Sequence, residues 1–465
     1  MEKELPNGWI LIQLGDLFLI ERGGSPRPIE DYITQAEDGI NWIKIGDTKG
    51  LTKYIYKTKE KIKPEGLYKS RMVYEDDFIL SNSMSFGRPY IMKTSGCIHD
   101  GWLVIRPNKK IVDLNYLYYM LSSSFVYQQF SSLAKGSTVK NLNIVAVQQV
   151  YIYLPPLPEQ QRIVAKLDNL FGHLDALKTR LDRIPQLLKD FRQKVLTQAV
   201  TGKLTEEWRD GRELEEWKNE KLDDISERIT VGYVGKMIDQ YSDSGIPFLR
   251  SQNVRAFRFS NINLLFISAE FNEEIKKSKL YPGDVVIVRS GYPGTTCVIP
   301  ETLVEANCSD ILICTPKKKR LNPHFVSIFM NSDYGKEIVF QGRVGNAQQH
   351  FNTKTLKATI IPLPPLVEQQ EIVRRVESLF AKADQIEASY QKLKAKIEQL
   401  PQALLAKAFR GELVEQLPTD GDARDLLEQI KRAKVGLEKG GKGKKLKVED
   451  EVRMVAEDGA RYGKR

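Results

Sequence analysis

The sequence predicts an α+β protein in which two tandem mixed α/β heads are joined by two long helices. These helices pair as an antiparallel coiled coil, and internal duplication gives the molecule a pseudo-two-fold. Three observations predict this. LPPLPEQQRIV, beginning at 154, returns as LPPLVEQQEIV at 363, an offset of 209. A heptad of apolar residues follows each copy. Ahead of each copy lie about 150 residues that mix short β-rich runs with short helical ones. A chain of 465 residues exceeds one ordinary domain. The repeat divides it into a first head (1–153), a first helical region (154–208), a second head (209–362), a second helical region (363–415) and a basic, flexible tail (416–465).

The duplication runs without a gap through the helical regions, with 17 identities in the 51 positions from 154 to 204. It pairs Leu170-Phe171 with Leu379-Phe380, Leu196 with Leu405 and Gly202 with Gly411. Upstream it is weaker: GSTVKNLN (136–143) faces GNAQQHFN (345–352), Trp9 faces Trp217, and YEDDFILS (74–81) resembles YPGDVVIV (281–288). The heads therefore share a scaffold and differ mainly in their loops.

In the first head, WIKIGD (42–47), DFILS (77–81), WLVIRP (102–107) and QQVYIYL (148–154) read as strands, bounded by Gly, Pro, Asn and Asp. In the second, DVVIV (284–288) and DILICTP (310–316) do the same. Residues 114–132 and 324–340 read as helical. They do not alternate with the strands, so a mixed or antiparallel sheet is expected rather than a doubly wound one.

The first long helix carries Ile163, Leu167, Leu170, Leu174, Leu177, Leu181, Ile184 and Leu188 at alternating spacings of 4 and 3. In the second the seam is Ile372, Val376, Leu379, Ile386, Leu393 and Ile397, with Ala383 and Tyr390 between. Each helix follows a proline-rich turn, carries Glu159 or Glu368 where the helix dipole favours an anion, and ends near Gly202 or Gly411. Pro185 and Pro401 fall inside the pattern and predict kinks or breaks. About 40 residues at 1.5 Å each make a rod of about 60 Å. Antiparallel pairing lets the second helix finish beside the first head, whereas parallel pairing would need a long return that no linker provides. Val164, Phe171, Val373 and Phe380 flank the seam and are candidates either to widen it or to dock a partner.

The formal charge of +10 invites a nucleic-acid partner, but its distribution weakens that inference. Residues 431–465 hold 12 Lys or Arg against 6 Asp or Glu, a net of +6, which leaves +4 for everything else. No apolar run reaches the length of a membrane helix, and the N-terminus has no signal-like apolar stretch, so a cytoplasmic protein is expected. Cys97, Cys297, Cys308 and Cys314 have no zinc-knuckle spacing, and Cys97-Ile98-His99 lacks a second half for a metal site. The chain has no G-x-G-x-x-G, no P-loop and no polar Pro-Pro-aromatic motif for a target amine. No catalytic site, metal or cofactor is therefore expected in this chain.

The heads do carry the side chains that read duplex DNA. In the first head the candidates are Arg22, Lys44, Asn82, Ser83, Arg88, Lys135 and Lys140. In the second they are Lys236, Arg250, Asn253, Arg255, Arg289, Tyr292, Arg343, Gln348 and Gln349. The polar, glycine-bearing loops recur at matching places with different residues, which suits two different half-sites.

The duplicated LPPL-x-EQQ-x-IV entry, the heptad helices, the closing AVTGKLTEEW (199–208) and AFRGEL (408–413), and the Gly…Asn loop before each LPPL resemble the specificity subunit of type I restriction–modification systems. The resemblance covers residues 1 to about 415. It implies two target recognition domains held apart by two antiparallel helices acting as a ruler, on double-stranded DNA. It implies two methyltransferase subunits bound to the rod, carrying S-adenosylmethionine and methylating adenine, with restriction subunits that use ATP and Mg2+ joining that core. It assigns no chemistry to this chain. The competing readings are a bridging coiled-coil scaffold without sequence readout and a DNA methyltransferase with its own active site.

Overall fold

A computed structural model describes residues 5–82, 87–134, 142–340, 351–425 and 427–428. The chain forms two compact units, Met1–Lys178 with Ala395–Arg465, and Thr179–Lys394. Each unit contains one head and parts of both helical regions.

In the first unit the head opens with strand Ile10–Gln13, which pairs antiparallel with Tyr151–Leu154, so the head begins and ends at the LPPL motif. Two five-stranded sheets form the rest. One is ordered Leu19–Arg22, Trp102–Arg106, Phe78–Ser81, Pro89–Met92, Tyr54–Ile55; the other is Ile33–Thr34, Glu60–Ile62, Ile40–Ile43, Gly96–Ile98, Arg71–Val73. Pairing is mostly antiparallel, with one parallel pair in each sheet, as the sequence predicts. The near-continuous apolar runs follow from burial on both faces. Phe78, Leu80, Leu103 and Ile105 join a core shared with the helices, whereas Ile79, Trp102 and Val104 point into a second core between the sheets.

The second unit repeats this plan. Lys218–Lys221 pairs with Ile360–Leu363. A four-stranded sheet is ordered Ser226–Val231, Ile311–Pro316, Val285–Val288, Thr296–Val298. Val285, Ile287, Leu312 and Cys314 face the helices, while Val286, Val288, Ile311 and Ile313 face the other core.

Two local expectations need adjustment. The WIKIGD run is a strand only over Ile40–Ile43 and then tightens into a 3-10 turn at Ile45–Thr48. Each short helical stretch is two helices: Leu114–Leu121 with Ser124–Leu133, and Pro323–Asn331 with Asp333–Phe340. Serine makes both breaks. The Ser123 hydroxyl caps the second helix of one pair by accepting from the Val126 amide, and Ser332 does so in the other by accepting from Gly335.

The EQQ motif is a structural joint. Glu159 is buried at its helix start and accepts from the Trp9 indole at 2.8 Å; Glu368 accepts from Trp217 at 3.0 Å and from Thr205 at 2.8 Å, and is ion-paired with Arg209. Gln160 accepts from the Asp113 amide at 2.8 Å and donates to the Ile111 and Pro155 carbonyls. Gln369 repeats this with the Asn322 amide and the Arg320 and Pro364 carbonyls.

Helical region 1 is broken into Leu157–Leu181 and Ile184–Val200, with Pro185 in the first turn of the second piece, where its missing N–H costs nothing. Helical region 2 is one helix, Leu366–Ala408, continuous through Pro401. Burial of Leu405, Ala408 and Phe409 in the first head's core offsets the hydrogen bond lost there. The helices run antiparallel within each unit. In the first, Ile163 and Leu167 share a core with Leu405 and Ala408; in the second, Val195, Leu196 and Ala199 share one with Ile372 and Val376. Arg192 bridges to Asp384 and Glu387 at 2.7 and 2.9 Å.

The seam differs from a uniform heptad. Leu167, Leu174, Leu181, Leu188, Val376, Ala383, Tyr390 and Ile397, seven residues apart along each helix, are buried. The alternate row is buried only at its start, at Ile163 and Ile372; Leu170, Ile184 and Leu379 are half-buried, while Leu177 (45% exposed), Ile386 (52%) and Leu393 (46%) face out. Two helices shield one row of side chains fully, and the second row needs cover from elsewhere. The flanking residues lie at the junction of helices and heads. Val164 and Val373 are buried in head cores. The Phe171 ring lies 5.4 Å from that of Tyr119, and the Phe380 ring 5.4 Å from that of Phe257. These four residues fasten each helix to its own head.

Candidate nucleic-acid interface

At one end of each helix-facing sheet, four chain segments meet. In the first head they follow strands Leu19–Arg22 and Phe78–Ser81, precede strand Trp102–Arg106, and resume at Leu142. The Gly23 amide donates to the Trp102 carbonyl and the Gly24 amide to that of Ile98. Asn82 donates its amide to Gly101 O and its carboxamide to Asp100 O, and its own carbonyl accepts from Leu142. Gly23 is required here, because an added Cβ would lie 2.1 Å from the His99 carbonyl oxygen.

Asp100 lies at the centre of this junction. Its carboxylate accepts from the Ser25 hydroxyl and from Arg27, each at 3.1 Å, and its carbonyl accepts from Arg22 Nε at 3.2 Å. Partial burial pushes the Asp100 carboxyl up, but the hydrogen bonds from Ser25, His99 and Arg27 outweigh it and hold the group below the usual carboxylate range. Burial pushes the neighbouring His99 imidazole below the ordinary histidine value. Beside them an open cleft of about 980 Å³ is lined by Arg27, Trp42, Lys44, Glu60 and His99.

The second head builds the same junction from other side chains. The Gly232 amide donates to the Ile311 carbonyl and the Tyr233 amide to that of Cys308. Arg289, which follows strand Val285–Val288 as Asn82 follows Phe78–Ser81, forms an ion pair with Asp310, and its carbonyl accepts from Phe351. Asp310 sits at φ 37°, in the left-handed region that aspartate tolerates better than most residues.

The structure brings Arg22 and Asn82 together at one junction and places Arg289 at the other. Lys44 lines the adjoining cleft, ion-paired with Glu60. Arg88 is set apart, donating to Leu51 O at 3.0 Å with its guanidinium over the Tyr90 ring. Lys236 and Arg255 are exposed, and Tyr292 is 82% exposed. Arg250 donates to the Asn263 carbonyl. Asn82 and Asn253 do not present themselves to a ligand. Both are buried, and Asn253 closes its loop by donating to Ser260 O and Ile262 O and accepting from the Arg250 amide. Asparagine satisfies stray main-chain groups in tight turns, which outweighs its value as a reader here. Ser83, Lys135, Lys140, Arg343, Gln348 and Gln349 lie outside the described residues. Sequence reasoning missed Ser25, Arg27, Asp100 and Asp310. The signal was present in an aspartate standing just ahead of the matching apolar strand in both heads, WLVIRP and ILICTP.

Among the described residues no group of three or more His, Cys, Asp or Glu could hold a metal ion, and no helix is long and apolar enough to cross a membrane. The model of the type I restriction modification DNA specificity domain matches twice, over residues 6–186 and 214–399. The chain is 30% identical over 468 residues to the type I restriction enzyme EcoKI specificity subunit of Escherichia coli K12, covering 94% of this chain and 98% of that one. It is 31% identical over 458 residues to the EcoBI specificity subunit of Escherichia coli, covering 94% of each. The crystal structure of the HsdS subunit from Thermoanaerobacter tengcongensis shares the fold, with a TM-score of 0.63 and 20% identity over 89% of this chain and 99% of that one. Two matched domains, an α+β fold built twice, and relatives aligned over nearly their whole length establish that the chain belongs to the type I restriction–modification DNA specificity family.

Proposed function

We propose that this chain is the non-catalytic DNA-reading subunit of a cytoplasmic type I restriction–modification complex. Each head reads one half of a bipartite duplex target, and the helices fix the separation of the halves. The observation that carries this reading is the recurrence of one main-chain junction in two heads with different side chains around it: Ser25, Arg27 and Arg22 at Asp100, and Arg289 at Asp310. A constant scaffold with changed loop chemistry suits two different half-sites.

Two methyltransferase subunits dock on the helices, and restriction subunits join them. The open seam row supports this: Leu177 and Leu400 in the first unit, with Phe191, Ile386 and Leu393 in the second, leave apolar surface on otherwise charged helices. S-adenosylmethionine, ATP and Mg2+ belong to those partners, and the methylated adenine is flipped into the methyltransferase.

Adenine-methylation mapping of DNA modified by the chain assembled with its methyltransferase partners tests the reading. The expected result is a bipartite motif. Replacing residues 1–153 with another family member's head should change one half only. Changes in both halves, or in neither, would refute one head per half-site.

A further inference from the structure

We propose that Asp100 and Asp310 are the positioning residues of the two DNA-reading surfaces, each fixing the direction in which its head's cationic side chains point. This rests on the reading of the heads as DNA-binding.

The loops that carry these aspartates differ in length. Three residues separate Ile98 from Trp102, but only two separate Cys308 from Ile311. Asp nevertheless stands ahead of the matching strand in both, Trp102–Arg106 in the first head and Ile311–Pro316 in the second. The cation it holds comes from different strands: Arg27, beyond strand Leu19–Arg22, in the first head, and Arg289, after strand Val285–Val288, in the second. The anion is constant and the arginine varies. A carboxylate on a surface that must accept phosphates weakens binding by simple Coulomb repulsion. Its recurrence at both junctions therefore needs another purpose, and the geometry supplies one. Arg27 is exposed and has rotamer freedom to lose, and one bond to Asp100 Oδ2 restricts it while leaving its other donors free. The Asp100 carbonyl does the same for Arg22 through Nε, so both guanidinium groups are aimed by one residue. The Ser25 hydroxyl holds the carboxylate itself.

Repulsion and positioning predict different outcomes. The full chain, assembled with its methyltransferase partners, is offered a randomised duplex DNA library, and the bound fraction is sequenced. Asp100→Asn should flatten the preference at one half-site by about tenfold and leave the other intact, and Asp310→Asn should do the converse. Asp100→Glu, which keeps the charge, should restore part of the lost preference. Ser25→Ala and Arg27→Ala leave Asp100 untouched and should blur the same half-site, so the test survives if Asp100→Asn fails to fold. Tighter binding to all sequences with unchanged preferences would show that the carboxylate only repels phosphate and would overturn the assignment. So would loss at both half-sites together. A wild-type complex that selects no sequence at all would remove the DNA reading, and the assignment would fall with it.

Discussion

Replacing Gln369 by Ala in the EQQ motif isolates one structural joint. The side chain is fully buried and makes three bonds, from the Asn322 amide at 2.8 Å and to the Arg320 and Pro364 carbonyls at 2.9 Å each. All three partners are main-chain groups that Ala leaves without a mate. An unsatisfied buried polar group costs about 1–3 kcal/mol, and partial entry of water places the total near the low end for three groups, at about 3 kcal/mol. With a urea dependence of about 2 kcal/mol per molar, the unfolding midpoint should fall by about 1.5 M. Gln370 is the control. It is adjacent and chemically identical, but exposed. Gln370→Ala should shift the midpoint by less than about 0.3 M. Urea titrations followed by circular dichroism and tryptophan fluorescence measure both. Equal effects of the two substitutions, or a Gln369→Ala loss below about 1 kcal/mol, would refute the assignment of the joint to main-chain satisfaction.

Three other outcomes are expected. Inserting one heptad into each helical region lengthens each helix by about 10 Å, close to three base pairs, so methylation mapping should show a longer spacer between unchanged half-sites; an unchanged spacer would contradict the proposal that the helices set it. Arg374 and Arg375 hold the Glu371 carboxyl down at about 2. Its folded value is depressed, so its contribution is present above the ordinary glutamate range and lost as pH falls from about 4.5 towards 2. The stability gap between wild type and Glu371→Gln should therefore be widest at pH 7 and close near pH 2; a gap independent of pH would exclude the ion pairs as its source. Cys97, Cys297, Cys308 and Cys314 are all buried, and desolvation pushes their thiols up, to about 11 for Cys97 and about 12 for Cys297 and Cys314. Thiol titration at pH 8 should find no reactive group in the folded protein and four in denaturant, and rapid labelling of the native chain would contradict this burial.

The elements that follow from local chemistry were legible in the sequence. Strands such as Phe78–Ser81 and Val285–Val288 announce themselves because both of their faces are buried, and the gapless 209-residue repeat exposes the duplication. What depends on distant partners was not legible. Glu159 and Glu368 read as helix-dipole residues, yet each is also the buried acceptor for an indole about 150 residues earlier in the chain. The heptad gave register but not cover, so Leu177 and Leu188 looked equivalent although only Leu188 is buried. Pro185 and Pro401 look alike in the sequence. Pro185 falls in the first turn of a helix, where it costs nothing, whereas Pro401 lies inside one that stays continuous because Leu405 and Phe409 pack beyond it. At the interface, Asn82 and Asn253 have the right chemistry for a base edge, but the turns they close use it up.

The way the helices hold the heads explains how one scaffold accepts two unlike sequences. Besides Gln160 and Gln369, the helices carry Gln193 and Gln402, themselves 209 residues apart. In the first unit Gln402 spans the break between the head's paired helices, accepting from the Ser124 amide at 2.8 Å and donating to Ser122 O at 3.2 Å. In the second, Gln193 does the same at Asp333 N and Asn331 O, at 3.1 and 3.4 Å. The residues at the two breaks differ: Ser122-Ser123-Ser124 in one head and Asn331-Ser332-Asp333 in the other. All four glutamines address main-chain amides and carbonyls of the head or of its LPPL turn. A carboxamide, with one donor face and one acceptor face, is the side chain that can satisfy both kinds of main-chain group at once. Main-chain groups are supplied by nearly any sequence, so the grip places little demand on head side chains. A head can change the residues it shows to DNA and still seat on the same two helices, provided that its helix break and its chain reversal at the LPPL turn keep their backbone geometry.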